Sequence, residues 1–278
     1  MWLVRSSSRG RGVLPHPCPE PDLSSADVDP VVTALAQQVV ETASVVDSLT
    51  DAECGASTRC VGWTVTDVLL HLAQSDEMAI ASLTGEFGAV AVDESPGRVG
   101  GTTVDEGVAL MVERERGAPF IDVVERWTSG VTQLVAVLSA MDLSTRVPWV
   151  AGELSARTLA TTRMSETWIH TGDIAEAVGR ELVPTDRLKL IARLAWRTLP
   201  YAFSSAGRTM SGPVAFHLVG PSGEQWEFLP EEPAATTISG TAVDLCAVAA
   251  RRMDPLTTAL RGEGPDTSDV LTLIRTYA

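Results

Sequence analysis

The sequence has no Cys-x-x-Cys pair; its four cysteines, Cys18, Cys54, Cys60 and Cys246, are scattered. That spacing supports neither a disulfide framework nor a cysteine-ligated zinc cluster, and a reducing cytoplasm is the simpler compartment. Basic residues are few, 21 Lys and Arg against 36 Asp and Glu, for a net charge of −15. Nucleic-acid binding needs a clustered basic surface, and anionic lipid attracts basic segments, so neither partner is expected. No apolar run approaches the roughly 20 residues that span a bilayer. The Arg-, Ser- and Gly-rich start is not followed by the apolar stretch of a secretory signal. Gly85 to Gly101 lacks the strand–loop–helix setting of a phosphate loop, and there is no Gly-x-Ser-x-Gly elbow. Nucleotide hydrolysis and serine-hydrolase chemistry are thereby disfavoured.

What is present is an ordinary soluble composition, 45% hydrophobic and 21% charged over 278 residues, with ample material for a core. Residues 1–27, with Pro15, Pro17, Pro19 and Pro21, read as a disordered leader. From Asp29 to Leu49 apolar residues recur at helical spacing, with Asp29 as cap and Pro30 in the first turn. Residues 51–62 read as a mixed linker. Thr64 and Asp67 form an acidic capping-box variant that starts a second helix running to about Gly85. Residues 86–101 look like a loop. Helical patterns resume from Thr103 to Arg116 and, after Pro119, through Leu138. They return from Ser155 to Val178, with Gly179 just past the end, and from Thr185 to about Phe203, a span that holds Pro200, a residue able to kink or end a helix.

No strand-like alternation interrupts these helices, so residues 28–205 read as an antiparallel bundle. The pattern changes after Gly207. Val214 to Val219 and Gln225 to Leu229 alternate around a Gly220–Gly223 turn, a hairpin signature, and Ala234 to Ser239 suits a third strand. Helices are expected over Thr241–Met253 and Asp266–Tyr277. Residues 206–278 thus read as a small α+β domain.

Only four histidines occur: His16, His71, His170 and His217. Glu166 and His170, four apart, leave one helix face a turn from each other. His71 lies two turns into the second helix, on a face with Asp67, Val68 and Ser75. If the two helices are neighbours, two imidazoles and a carboxylate converge, a set suited to zinc or another divalent ion with one position left open. Spacing alone favours the plainer reading, a surface pair or a hydrogen-bonded core histidine.

Two longer stretches carry a resemblance. Cys60-Val-Gly-Trp-Thr-Val-Thr-Asp-Val-Leu-Leu-His71-Leu-Ala resembles the helix-2 signature of the mycothiol-dependent maleylpyruvate isomerase family, within the DinB-like group of metal-binding helical bundles. Arg163-Met-Ser-Glu166-Thr-Trp-Ile-His170-Thr-Gly-Asp173-Ile-Ala-Glu-Ala-Val-Gly179 is similar to its second signature. The order and separation agree over about residues 28–205. The tail around Trp226 and Arg251–Arg252 resembles one actinobacterial branch.

The resemblance implies a mainly α protein, a DinB-like antiparallel four-helix bundle with the small C-terminal domain appended. It also implies metal ligation by His71, Glu166 and His170, with zinc the usual ion and mycothiol as co-substrate. The expected activity is isomerisation or S-transfer on a small electrophilic molecule. A non-catalytic small-molecule binding protein, or a pathway enzyme doing metal-assisted lyase or cyclisation chemistry, is the alternative. A homodimer is compatible with the sequence.

Around the trio, Asp173 is either a hydrogen-bond acceptor for a ligand imidazole or a solvated helix position. Arg163 either fixes Glu166, binds an anionic substrate or forms a surface ion pair. Trp63 and Trp168 either wall a cofactor pocket or belong to the core. Cys60 reads as a structural thiol, and His16 and His217 as uninvolved. The run Glu113 to Arg116 reads as a solvated face.

Overall fold

A computed structural model of the chain describes residues 28–88, 104–150 and 152–276. The expected leader, His16 and most of the expected loop after Gly85 lie outside the described residues.

Six of the helices are long enough to present a stripe to the core: α1 (Pro30–Asp47), α3 (Val65–Thr84), α4 (Val104–Glu115), α5 (Phe120–Ala140), α6 (Ala156–Ala177) and α7 (Leu188–Ser205). Two of their starts follow caps legible in the sequence, Asp29 and Thr64. The Asp29 side chain accepts from the Val31 N–H, and Thr64 and Asp67 satisfy each other's backbone donors in a complete capping box. Ser155 caps α6, and Gly179 follows it with φ +67°, a conformation that suits a residue without Cβ. The chain is mainly helical with a smaller sheet part. α3 packs on α5 and α6, and α1 packs on α6 and α5, so the two helices carrying the histidines are direct neighbours.

Several expectations are corrected. The linker contains a short helix, α2 (Asp51–Cys54), opened by a Thr50–Glu53 capping box. Strands do interrupt the helices: β1 (Arg146–Trp149) and β2 (Gly152–Ser155) pair antiparallel, Val147 opposite Leu154. Four-residue strands in which only Val147 is buried carry almost no alternating signal. Helix α7 starts at Leu188, later than Thr185, and runs through Pro200 to Ser205 as the expected span to about Phe203 requires, because buried Leu199, Ala202 and Phe203 keep it against the core. The missing N–H is a local loss that packing outweighs.

The second sheet has the order β4–β3–β5–β6. β3 (Val214–Val219) and β4 (Gln225–Phe228) form the expected hairpin, and β5 (Thr236–Thr241) runs parallel to β3 with Phe216 beside Ile238. β6 (Arg261–Glu263) was not legible in the sequence, and it completes the far edge. Helices α8 (Ala242–Ala249) and α9 (Thr267–Leu273) both lie against α7. One apolar cluster runs from Leu35, Leu69, Leu134 and Leu159 through Leu199 to Phe216, Ile238 and Leu245, joining helices and sheet. No helix among the described residues is long and apolar enough to cross a membrane.

Candidate functional site

The α3–α6 seam brings His71 and His170 together. Their ring centroids are 4.9 Å apart and the rings meet nearly at right angles. Both side chains are buried, His71 at 7% and His170 at 5% exposure. Burial, with the adjacent His170 and Arg163, holds the His71 imidazole well below its usual range, so the ring is neutral and keeps a lone pair. His71 Nδ1 stands 3.4 Å from the Ser75 hydroxyl, one turn on. Trp63 covers its other side, with ring centroids 5.3 Å apart.

His170 is fixed from behind. Its Nδ1 lies 3.0 Å from Asp173 Oδ2, the contact that orients a ligand imidazole and leaves Nε2 for another partner. Asp173 is buried, so its reading as a solvated position is corrected: it points inward, one turn from His170 on the same face. Burial alone would push its carboxyl up; hydrogen bonds from His170 and Arg252 outweigh this and hold it well below the usual carboxylate range.

Arg252 was missed as part of this group. Its guanidinium grips both Asp173 oxygens, at 2.7 Å from Nε and 2.6 Å from Nη2. It arrives from beyond α8, whose end is a Schellman turn. There the Arg251 N–H bonds the Val248 carbonyl and the Arg252 N–H bonds the Ala247 carbonyl. Arg251 holds the left-handed position at φ +59° without being glycine. No local pattern marks Arg252 as a partner of a residue 79 positions earlier in the chain.

The Cys60 thiol donates to Asp173 Oδ2 at 3.4 Å, and Arg252 Nη2 lies 3.8 Å from its sulfur. Burial and the Asp173 charge push this thiol up to about 11. Cys60, His170 and Asp173 are also a set of metal-capable donors within 4.8 Å of one another. Their hydrogen bonds are turned on each other and on Arg252.

Glu166 lies outside that set, one turn before His170, because its carboxylate is bonded to Arg163 Nη1. The surface-pair reading of Arg163 is corrected: the side chain is fully buried. Arg163 Nε also donates to Asp76 at 2.9 Å, and Asp76, on α3, is equally buried. Burial pushes the Asp76 carboxyl up to about 6 against the pull of Arg163. Asp76 was missed in the sequence, where it stands in the polar run of residues 74–77 with nothing local to mark it as buried.

Trp168 is half-buried against the core cluster. His217 sits on β3, 3.3 Å from Glu227 on the neighbouring strand and away from the site. The Glu113–Arg116 run is exposed, but it does more than face solvent. Arg116 reaches Asp67 at 3.3 Å, and Glu115 accepts from Gln74 at 3.0 Å, tying α4 to the histidine helix.

His71 and His170 offer two buried imidazoles in contact, with the Glu166 carboxylate one turn before His170, donor types that a divalent ion takes. Among the described residues, however, the donors that converge within 4.8 Å are Cys60, His170 and Asp173, and neither His71 nor Glu166 closes into that group. The Glu166 carboxylate must leave, or share, its bond to Arg163 to take part.

Comparison with known proteins bears on this arrangement. Two sequences from Mycobacterium tuberculosis strains CDC 1551 and H37Rv, both described as uncharacterized proteins, are each 29% identical over 254 residues. That span is 91% of this chain and 97% of theirs. Among solved structures, the fold matches the mycothiol-dependent maleylpyruvate isomerase with a TM-score of 0.54 at 21% identity. A variant of that enzyme with one histidine replaced by alanine matches at 0.55 and 20%. Each match covers 84% of this chain and 93% of the other. The family model for the mycothiol maleylpyruvate isomerase N-terminal domain matches residues 35–175, the stretch that carries both His71 and the Glu166–His170 turn. The chain belongs to the mycothiol maleylpyruvate isomerase N-terminal domain family.

Proposed function

We propose that this protein is a metal-dependent enzyme that uses a low-molecular-weight thiol, mycothiol, on an electrophilic small molecule, as an isomerase or S-transferase. The observation that carries the reading is the edge-to-face meeting of the His71 and His170 rings at 4.9 Å in the α3–α6 seam. Two buried imidazoles in contact, one neutral and one fixed through Nδ1, are what a cation site requires and what an apolar core avoids. In this reading His71, Glu166 and His170 hold the ion, zinc being the first candidate. The helices of residues 28–205 form a DinB-like antiparallel four-helix bundle, and residues 206–278 form a small α+β domain beside it.

A divalent ion at this place would lower the pKa of a bound thiol and so supply thiolate at neutral pH. The protein's own groups do the rest. Asp173 holds the proton on His170 Nδ1 and keeps the ring in register. Trp63 shields the imidazole of His71 from water. Arg163 orients Glu166 until a cation competes for it. Cys60, kept as a thiol by burial and Asp173, is not the nucleophile in this scheme.

The test is elemental analysis of untagged purified protein, followed by a thiol-conjugation screen with mycothiol and electrophilic substrates. Near-stoichiometric metal in the wild type, lost in His170→Ala, together with mycothiol-dependent turnover, is the expected result. Metal retained by His170→Ala would overturn the ligand set. A metal-free wild type that binds apolar ligands without turnover would overturn the enzyme reading in favour of a binding protein.

A further inference from the structure

Arg163 poses an electrostatic problem for a cation site. Its side chain has no solvent exposure, it is bonded to Glu166, and its charge is felt at His71. A fixed buried guanidinium beside a carboxylate ligand repels any dication that carboxylate would bind, and a low-dielectric interior amplifies that repulsion. The structure contains the remedy on the neighbouring helix. Asp76, at 0% exposure, takes the guanidinium through Nε, the nitrogen not used by Glu166. Its second oxygen, Oδ2, and the remaining Arg163 nitrogen, Nη2, have no hydrogen-bond partner among the described residues.

We infer that Asp76 is the counter-charge that allows a divalent cation to bind at His71, Glu166 and His170 in the presence of Arg163. The inference rests on the metal-site reading above and adds to it a residue whose carboxylate, among the described residues, hydrogen-bonds Arg163 and none of the three ligands. With Asp76 ionised, Arg163 and Asp76 cancel, and the cation meets the net negative charge of Glu166. Without it, Arg163 and Glu166 cancel, and the cation enters a buried site with no net negative charge. Asp76 is thus a positioning residue for charge, acting through Arg163. It also keeps the guanidinium anchored when Glu166 turns to the cation, because the two carboxylates occupy different nitrogens.

The experiment measures zinc affinity at neutral pH by competition with a chromogenic chelator, alongside thermal unfolding of each metal-free protein. The proteins are the wild type, Asp76→Asn and the double variant Asp76→Asn/Arg163→Met. The single variant is expected to bind zinc about 10- to 100-fold more weakly than wild type, the range typical of residues that support a metal ligand. The double variant, which removes the uncompensated positive charge, is expected to recover most of that loss. A purely structural role would lower the unfolding temperature of both variants without this recovery in affinity.

Unchanged zinc affinity in Asp76→Asn overturns the inference and leaves the metal site standing. Equal weakness in the single and double variants also overturns it, because position rather than charge would then be the cause. A wild type that does not bind zinc overturns the site and the inference together. Should Asp76→Asn not fold, Asp76→Ser removes the same charge while leaving room for water at the guanidinium, and it is read by the same outcomes.

Discussion

Arg252 and Asp173 form a two-point ion pair, 2.7 and 2.6 Å, between the segment after α8 and the helix that bears His170. Because the same Asp173 oxygen that accepts from Arg252 Nη2 also faces His170 Nδ1, the C-terminal part of the chain helps set the His170 imidazole.

Arg252→Ala is expected to destabilise the protein by about 3 kcal/mol, since it leaves Asp173 buried with its charge only partly matched. Chemical denaturation measures this. A loss below about 0.5 kcal/mol, the range of exposed pairs, would show that the pair contributes nothing beyond a surface contact.

Cys60 should resist alkylation. With its thiol pushed up to about 11, mainly by burial and then by Asp173, the reactive thiolate is scarce at neutral pH. Its labelling rate should climb steadily across the alkaline range instead of levelling off near the ordinary thiol pKa of about 8.5. The sign for stability follows. Below the unfolded thiol's pKa both states are protonated and nothing is lost; as pH rises from there toward 11 the unfolded state ionises first and the fold is weakened. Asp173→Asn should speed labelling. Mass spectrometry of peptides after timed exposure to iodoacetamide reads both effects, and a plateau near pH 8.5 would contradict the assignment.

Thr64→Ala should cost about 1 kcal/mol, because it removes the side-chain half of the capping box that begins the His71 helix. Thr64→Ser should restore nearly all of it. Equal stability of the alanine and serine variants would mean that packing alone starts the helix.

Gly264→Ala should be severe. Gly264 has φ +111°, and an added Cβ would fall 2.7 Å from the Thr236 Cα and against the Ala235 carbonyl oxygen, both backbone atoms that cannot swing aside. Loss of the β5–β6 edge and a destabilisation above about 2 kcal/mol are expected, measured by thermal unfolding and amide exchange of β6. A variant as stable as wild type would show that the close approach relaxes freely.

Much of the helical scaffold was legible because its signals are local. Asp29, Thr64 and Ser155 cap their helices through residues two or three positions on, and Gly179 ends α6 through backbone conformation alone. Glu166 and His170 share a face for the same reason: helical geometry fixes neighbours four apart. The hairpin around Gly220–Gly223 was visible in its alternation, whereas β1, β2 and β6 were too short, and too exposed, to carry a period.

By itself, then, the sequence determined where the six long helices lie, which faces of α3 and α6 bear His71, Glu166 and His170, and which functional classes the charge and missing motifs disfavour. Only the tertiary structure decided that those faces meet, that Glu166 is drawn to Arg163, that Asp76 backs Arg163 from the neighbouring helix, and that Arg252 closes on Asp173. The division has a physical cause. Caps and helical faces depend on residues within one turn, while a buried charge acquires its partner, its protonation and its meaning from whatever the folded chain packs against it.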